Sequence, residues 1–312
     1  LFVSFFPLLV AGPIERATHL LPQLKIKRSF NYENTVLGLK QILWGLFKKI
    51  VIADQCATHV NHIFNDVYAF NGSTLVLGSI LFAFQIYGDF SGYSHIALGT
   101  ARLFGINLLK NFSFPYFSRS ISEFWRRWHI SLSSWFRDYL YFPLGGSKKG
   151  LLITVRNTFI IFLVSGFWHG ANWTFIVWGL LHALFIIPSV VFKTNRSYLD
   201  IVSQGRIFPR ASEIFHIFIT FTFVTFTWIF FRAESLIDAL RYIRYIFTRN
   251  LFVTPKILPI NLLVLIALFM IIEWFGRESD FALQGLDSKI NKKNALFFLL
   301  YLSSNNNLFL WK

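Results

Sequence analysis

The sequence predicts an all-α polytopic membrane protein, a fold class indicated by its composition and by its long apolar runs. Hydrophobic residues make up 54% of the 312 residues and charged residues only 14%, with 39 Phe and 10 Trp. A soluble domain usually carries about 25% charged residues. One soluble core could not enclose so many large apolar side chains, whereas lipid can surround them on the outside of a helical bundle.

Apolar runs of about 20 residues, the length that crosses a bilayer as a helix, recur along the chain. We predict spans at 36–60, 74–104, 151–168, 173–192, 213–231 and 257–275. Residues 1–10 are expected to form the end of a preceding helix, and the tail 295–311 stays open because Ser and Asn residues interrupt it. The start has no signal-peptide pattern. We expect a single membrane domain over 1–312 that lacks its N-terminal helices.

Lys48, Lys49 and Asp89 are among the charged residues inside the predicted spans, where ionisable groups are costly and call for an explanation. Lys48 and Lys49 are expected to snorkel or to face protein. Asp89 lies among small residues, which allow close helix packing, and it must find a hydrogen-bond or ion-pair partner.

The formal net charge is +15, from 30 Lys and Arg against 15 Asp and Glu. In a soluble protein this excess would indicate nucleic-acid binding. Here the basic residues lie between apolar runs, where anionic lipid headgroups and the positive-inside rule account for them. We therefore exclude nucleic acid and expect membrane lipids as partners.

The distribution of basic residues predicts which loops share a side of the membrane. The stretch 102–150 is basic and aromatic, which is typical of an interfacial or re-entrant helix. It is predicted to be cytoplasmic together with the loop 193–212, while 61–73 has no Lys or Arg and is predicted to lie outside. The basic loop 232–256 should then also lie outside, which conflicts with the positive-inside rule unless one of the elements is re-entrant.

Several kinds of chemistry can be set aside. The single cysteine, Cys56, excludes an intramolecular disulfide and a cysteine zinc site. We interpret it as a small buried hydrophobe, with a thioester intermediate as the alternative. The sequence has no Gly-x-Ser-x-Gly elbow, no His-x-x-x-His pair and no carboxylate cluster, so it predicts neither a serine hydrolase nor a metal site.

His169 is the first candidate for chemistry, because it joins two apolar segments between two glycines. Trp168 and Trp173 wall the position, and Asn172 follows closely. A neutral histidine held there can act as a general base toward a hydroxyl. The structural alternative is a histidine that bonds to a carbonyl of a neighbouring helix.

His129 is the second candidate, in a segment rich in Trp and Arg. On a helix, Trp125 and His129 would share a face at i, i+4, while Arg126 and Arg127 turn away. The simple interpretation is an interfacial helix anchored by these residues. The functional one adds Arg contacts to the phosphates of an anionic acyl donor, with the histidine at the reactive end.

Two further features are weaker. The basic, glycine-rich segment 141–150 could hold a phosphate through backbone N–H groups, but a cytoplasmic turn is the simpler interpretation. His182 could line the site of His169, although we expect it to pack in the core.

Five motifs in fixed order resemble the membrane-bound O-acyltransferase (MBOAT) family, in particular the branch that O-acetylates alginate. They lie within residues 5–183 and make the resemblance specific, while the C-terminal third resembles the family only in hydropathy. The motifs are Phe5–Arg16 (FFPLLVAGPIER), Gln85–Ser94 (QIYGDFSGYS), Phe124–Ser133 (FWRRWHISLS), Arg137–Gly146 (RDYLYFPLGG) and Gly166–Trp173 (GFWHGANW). One departure is His95, where the family pattern leads us to expect Asp.

The resemblance implies a bundle of membrane helices around a tunnel, with His169 as the catalytic histidine and His129 as the second signature histidine. It also leads us to expect that neighbouring motif residues contact the substrate or the acyl donor. These residues are Trp125, Arg126, Arg127, Trp128, Asp138, Trp168 and Asn172.

The resemblance further implies a multi-pass enzyme of the bacterial cytoplasmic (inner) membrane. Cytoplasmic acetyl-CoA, a substrate and not a bound cofactor, would dock near the basic stretch 119–149. His169 would deprotonate a hydroxyl of an exported polysaccharide, and His129 or backbone N–H groups near Gly166 and Gly170 would stabilise the oxyanion. A periplasmic or membrane-anchored acetyltransferase partner would pass the acetyl group on.

Three alternatives stay open at this point. A teichoic-acid D-alanyl transferase of the same family would take its acyl group from a carrier protein. A transporter could use His129, His169 and Asp89 as a relay, but it would need an internal repeat with paired broken helices, which the sequence does not show. A non-catalytic scaffold for polysaccharide export would tolerate substitution of either histidine.

Overall fold

The computed structural model describes residues 2–284, and every regular element in that range is helical. The predicted all-α fold is therefore confirmed for this part of the chain; the open question about 295–311 falls outside the described residues. The α-helices are α1 (Ala17–Lys25), α2 (Tyr32–Leu46), α3 (Asp54–Asn65), α4 (Gly72–Leu103), α5 (Ile121–Arg127), α6 (Ile130–Phe136), α7 (Leu151–His169), α8 (Trp173–Val191), α9 (Ala211–Arg232), α10 (Leu236–Thr248) and α11 (Ile260–Gly276).

Four helices of the described range are long and apolar enough to cross a membrane, namely α4, α7, α8 and α9. Each one matches a predicted span to within a few residues, so these four predictions are confirmed. The predicted span at 257–275 becomes α11, an apolar helix of 17 residues. The protein is thus a multi-pass membrane protein.

The predicted span at 36–60 is helical throughout but not regular. A π-helical segment, Phe47–Ala53, joins α2 to α3. Lys48 is buried and pairs with Glu273 of α11, while Lys49 pairs with Asp89 of α4 at 2.7 Å. The expectations that the two lysines face protein or snorkel, and that Asp89 finds a partner, are confirmed.

Glycines set the distance between the central helices. A Cβ added at Gly92 of α4 would lie 2.8 Å from the carbonyl oxygen of Gly45 of α2, and one at Gly99 would lie 2.5 Å from that of Gly38. The backbones of α2 and α4 therefore touch without intervening side chains, as small residues permit in membrane bundles. This close packing places Asp89 beside the π-helical segment.

Residues 1–10 do not form the end of a helix, so that prediction is wrong for the residues described. Only a short 3₁₀ turn, Phe6–Leu8, is present. Pro7 lacks a backbone N–H donor, and Gly12 and Pro13 follow it, which prevents a regular helix despite the apolar composition. The segment instead runs as irregular chain, with Phe5 and Leu8 packed against the cluster of Leu20, Ala101 and Ile106.

The two loops that the charge distribution predicts to lie outside the membrane, 61–73 and 232–256, contact each other. The guanidinium of Arg249 donates to the backbone carbonyl of Tyr68 at 2.5 Å and lies 3.8 Å from the ring centre of Tyr245. The basic loop 232–256 therefore sits on the loop 61–73, at one end of the bundle. Arg232, Arg241 and Lys256 also contact residues of 61–73, so these two loops share one end of the bundle, and their side of the membrane stays a prediction.

The loops predicted to be cytoplasmic meet as well. Arg119 is buried and pairs with Asp200 at 3.0 Å, and it also pairs with Glu123 at 3.0 Å. The stretch 102–150 therefore contacts the loop 193–212. This grouping agrees with the predicted arrangement of the loops.

The sequence analysis did not predict α10, which lies inside the basic loop. Ser235 caps it by accepting a hydrogen bond from the Asp238 backbone N–H at 3.2 Å. Ala239, Tyr242 and Ile246 are buried against the bundle, at the spacing of one helix face. We missed α10 because at 13 residues it is too short to be recognised as a span.

Candidate active site

His129 lies between two short helices and not inside one. Its backbone is left-handed, with φ of 45°, because α5 ends at Arg127 and α6 begins at Ile130. The prediction that Trp125 and His129 share one helix face is therefore wrong. A non-glycine residue in this conformation is unfavourable by about 1–3 kcal/mol and persists only where its surroundings fix it. Such residues cluster at functional sites.

Asn111 provides the physical reason for the break. The backbone N–H of Ile130 donates to the Asn111 carbonyl at 2.9 Å, so it does not continue the helix from α5. The Asn111 side-chain oxygen accepts a second bond from the Ser131 hydroxyl, also at 2.9 Å. Two bonds to one distant residue thus hold the backbone just after His129.

The N-terminal motif is joined to the same place. The backbone N–H of Ile14 donates to Ser131 Oγ at 2.9 Å. Arg16 forms an ion pair with Asp138, and the carboxylate of Glu15 accepts a hydrogen bond from the Leu109 backbone. The motif therefore wraps around the His129 segment, and Asp138 serves as its anchor.

A cavity of about 420 Å³ opens beside His129. Its walls come from several of the five motifs, and they are largely apolar. The lining includes Gly12, Pro13, Ile14, Glu15, Phe90, His129 and Trp168. The sequence analysis did not predict roles for Phe90 or for the Gly12–Glu15 segment, although both lie in motifs that it singled out.

The ring of His129 packs edge-on against Phe90, with 4.6 Å between ring centres. The side chain is 5% exposed. Burial lowers the pKa of His129 to about 3, because a charged imidazole would lose its solvation there. The imidazole is therefore neutral at pH 7 and can donate one hydrogen bond.

His169 is the last residue of α7, and aromatic rings surround it. Its ring centre lies 4.9 Å from that of Trp168, 5.2 Å from Trp178 and 5.0 Å from Phe231. No carbonyl or side chain of residues 2–284 makes a hydrogen bond with its imidazole. Within this range, His169 is therefore not held by a hydrogen bond to a carbonyl of a neighbouring helix, which was the structural alternative.

Trp168 contacts both histidines. Its ring centre is 6.0 Å from that of His129 and 4.9 Å from that of His169. The structure therefore brings together three of the predicted site residues, the two histidines and this tryptophan. A neutral hydrogen-bond donor and a candidate base in contact with one indole suit acyl transfer to a hydroxyl.

The hairpin of α7 and α8 positions His169. A Cβ on Gly166 would lie 2.3 Å from the Phe175 carbonyl oxygen, so the two helices pack backbone to backbone. Asn172 caps α8 by accepting from the Thr174 N–H at 3.1 Å, and its amide donates to the Glu234 carbonyl at 2.8 Å. Asn172 holds the turn after His169, outside the cavity.

The two arginines predicted to bind the donor are bonded to the chain itself. Arg126 donates to the backbone carbonyls of Asn195 and Tyr198, at 2.7 and 2.6 Å. Arg127 pairs with Glu123 at 2.8 Å. Neither arginine lines the cavity at His129.

The two tryptophans that precede His129 are also turned into the core. The Trp125 indole N–H donates to His182 Nδ1 at 3.1 Å, and Trp128 is 4% exposed among other aromatic rings. The expectation that His182 packs in the core is confirmed, because it is fully buried and bonded to Thr227 as well.

Comparison with known proteins agrees with the arrangement of the motifs. The model of the membrane-bound O-acyltransferase family matches residues 1–230. A peptidoglycan O-acetyltransferase of Helicobacter pylori is 42% identical over 78% of this chain and 45% of its own length. The "probable alginate O-acetylase AlgI" of Pseudomonas aeruginosa is 36% identical over 94% of this chain and 55% of its own.

A teichoic acid D-alanyltransferase of Bacillus subtilis is 31% identical over 75% of this chain and 60% of its own length. The chain thus spans about half the length of the curated relatives it matches. The resemblance stated on the five motifs is confirmed, and the chain belongs to the membrane-bound O-acyltransferase family.

Proposed function

We propose that this chain forms the acyl-transfer centre of a membrane O-acetyltransferase. The enzyme would reside in the bacterial inner membrane and move an acetyl group from cytoplasmic acetyl-CoA toward hydroxyls of an exported polysaccharide. The observation that carries the proposal is that His129 and His169 both contact Trp168, which lines a cavity of family-motif residues together with His129.

In the proposed reaction His169 is the general base. It takes the proton of an acceptor hydroxyl as the oxygen attacks the thioester carbonyl of acetyl-CoA. The neutral imidazole of His129 donates a hydrogen bond to the oxyanion of the tetrahedral intermediate. Collapse of the intermediate breaks the carbon–sulfur bond, and the CoA sulfur receives the proton from His169.

The surroundings of His169 support this role. Trp168, Trp178 and Phe231 enclose the ring with apolar surface. Such surroundings exclude water, and hydrogen bonds act more strongly where water is excluded. The hydrogen bond that an acceptor hydroxyl donates to the imidazole is thereby strengthened, which positions its proton for transfer.

The donor side needs cations that are not already bonded within the protein. Arg126 and Arg127 are held by chain carbonyls and by Glu123. Lys148 and Lys149 are exposed on the glycine-rich turn of the predicted cytoplasmic stretch. We therefore assign the first contact with the phosphates of acetyl-CoA to these two lysines.

The acceptor is proposed as an alginate-like polysaccharide, on the strength of the AlgI relative. Peptidoglycan is a second candidate acceptor, because the Helicobacter pylori peptidoglycan O-acetyltransferase is similar over most of this chain. In either case we expect an acetyltransferase partner, periplasmic or membrane-anchored, to complete the transfer.

The decisive test uses the full-length protein in cells at matched membrane levels. His169→Ala should nearly abolish O-acetylation of the exported glycan, since a general base typically contributes about 10²–10⁴-fold to the rate. His216→Ala is the control: this exposed histidine of α9 is bonded to its own helix. Retained O-acetylation in His169→Ala would sink the assignment.

The donor is tested separately in membranes. Transfer should require acetyl-CoA and should not respond to a D-alanyl carrier protein. Dependence on the carrier protein would move the chain to the teichoic-acid D-alanylation branch, to which the Bacillus subtilis relative belongs.

A further inference from the structure

A buried polar cluster lies in the helical core and takes no part in the reaction proposed above. Lys48 Nζ lies 2.6 Å from Glu273 Oε1, and the Tyr87 hydroxyl donates to Glu273 Oε2 at 2.7 Å. The side chains of Lys48 and Glu273 are 1% and 2% exposed, and Tyr87 is 1% exposed. We call these three residues the buried ion-pair cluster.

The cluster is unusual on energetic grounds. An ion pair removed from water often stabilises a fold no better than apolar residues of the same size, so its presence calls for a role beyond stability. Lys48 also lies in the π-helical segment Phe47–Ala53, and π-helical turns occur frequently at functional sites.

Tyr87 connects the cluster to the segment that carries His129. Its ring centre lies 6.1 Å from that of Trp128 and 6.0 Å from that of Phe112. Phe112 in turn packs edge-on against Trp128, at 5.0 Å. The hydroxyl of Tyr87 is fixed at the far end of its ring by Glu273, so one wall around Trp128 is anchored to the ion pair.

His129 depends on that wall because its backbone is strained. The left-handed conformation at His129 requires the chain to be held on both sides. Asn111 holds the following residue, Ile130, by a hydrogen bond. On the preceding side the chain is held by Trp128, which is buried among aromatic rings.

We propose that Tyr87 is a positioning residue for His129, with the Lys48–Glu273 pair fixing the acceptor of its hydroxyl. This gives a role to a tyrosine of the motif Gln85–Ser94 that the reaction does not explain. The inference rests on the proposed function in one respect: His129 must act at the reacting centre.

The test removes only one oxygen atom. Tyr87→Phe keeps the ring in the wall but releases it from Glu273. In membranes containing the full-length protein, we expect kcat to fall by between about 10-fold and 100-fold, the loss that a misplacement near 1 Å can cause. The KM for acetyl-CoA should change little, because His129 and not the donor site is disturbed.

Tyr242→Phe is the matched control. Tyr242 is also 1% exposed, and its hydroxyl donates at 2.7 Å to a backbone carbonyl, that of Leu75 in another part of the bundle. Both variants lose a buried hydrogen bond of 2.7 Å, and Tyr87→Phe also loses the longer contact from Lys48 Nζ at 3.4 Å. If the two variants lose the same protein level and the same kcat, the Tyr87 hydroxyl is merely structural and the proposal is wrong.

A rescue experiment separates the hydroxyl from the charges. Glu273→Gln leaves Lys48 without a counter-charge and should lower both protein level and kcat. Adding Lys48→Met removes that charge while the carbonyl oxygen of the introduced glutamine can still accept from Tyr87, so kcat should recover to within a few-fold of wild type. Failure to recover at matched protein level would place the role in the charges and overturn the proposal.

Testing His129→Ala and His169→Ala in the same assay distinguishes failure of the proposed function from failure of the positioning role of Tyr87. If either histidine variant keeps its activity, the proposed function fails. If both variants are inactive while Tyr87→Phe behaves like Tyr242→Phe, the proposed function stands and only the positioning role is lost.

Discussion

Gly179→Ala tests whether the α7–α8 hairpin sets the position of His169. A Cβ at Gly179 would lie 2.2 Å from the carbonyl oxygen of Phe162, whereas ordinary contacts begin near 3.4 Å. The neighbour is backbone, which cannot rotate away, so α7 and α8 must separate by about 1 Å, since a close-packed interior has no space to absorb the atom. Overpacking of this kind typically destabilises a protein by about 1–3 kcal/mol.

The same displacement should also move the side chain of His169. Phe162 lies about two turns before His169 on α7, and a rigid helix carries the shift to its end. Since a misplacement near 1 Å can lower a rate by about 10²-fold, we expect Gly179→Ala to lose most of its kcat in addition to some thermal stability. The measurements are acetyl transfer in membranes and thermal unfolding in detergent.

Gly72→Ala provides the comparison. Its added Cβ would also lie 2.2 Å from a backbone carbonyl oxygen, that of Ile246 in α10. This variant should lose stability in the same way, but it should keep a kcat near wild type because the α7–α8 hairpin is untouched. Wild-type kcat and unfolding temperature in Gly179→Ala would refute the reasoning about the hairpin, as would an equal loss of kcat in Gly72→Ala.

Three further predictions each rest on a local set of contacts. Asn111→Ala should lower kcat by about 10-fold with little change in KM, because it removes the side-chain oxygen that accepts from Ser131, although the backbone bond to Ile130 remains; an unchanged kcat would contradict this. Replacing Lys148 and Lys149 by Ala should raise the KM for acetyl-CoA and leave kcat near wild type, and the reverse pattern would exclude them as donor contacts. The Arg119 guanidinium lowers the pKa of Asp200, so the stability from this pair should be present at neutral pH and lost as the pH falls below about 4. Asp200→Asn should lack that part of the acid dependence of the unfolding temperature, and an identical pH profile would count against the pair.

Helix length and apolar composition were enough to locate α4, α7, α8 and α9. They were misleading for residues 1–10, where the apolar side chains are present but Pro7, Gly12 and Pro13 prevent a helix. Composition indicates whether a segment prefers lipid or water, whereas its backbone conformation can depend on a few residues such as proline and glycine. The two kinds of information agree along most of this chain and diverge at its start.

The left-handed backbone at His129 could not be predicted from its own motif. Residues 124–133 have the composition of one interfacial helix, and the local pattern offers no break. The break comes from Asn111, far enough along the chain that no helical or strand periodicity relates it to Ile130. Such a long-range competitor for a backbone donor cannot be detected by local sequence reasoning.

Arg126 and Arg127 illustrate a related difficulty. Their charge and position predict contacts with phosphate, which is a frequent role of arginine. In the structure Arg126 instead donates to carbonyls of Asn195 and Tyr198. Backbone carbonyls carry no sequence signature, because every residue has one, so a sequence cannot show that an arginine is committed to them.

The polar residues of the family motifs therefore have two different roles. Arg16, Asp138 and Asn172 are conspicuous polar residues, yet each one ties a segment in place and leaves the cavity to largely apolar walls. The two histidines are the polar groups that the structure gathers around Trp168. A centre with few competing charges suits a base that must stay neutral until it accepts the hydroxyl proton, because every nearby cation would disfavour the imidazolium that forms. The surrounding hydrogen bonds and ion pairs therefore serve to keep charged groups away from the centre.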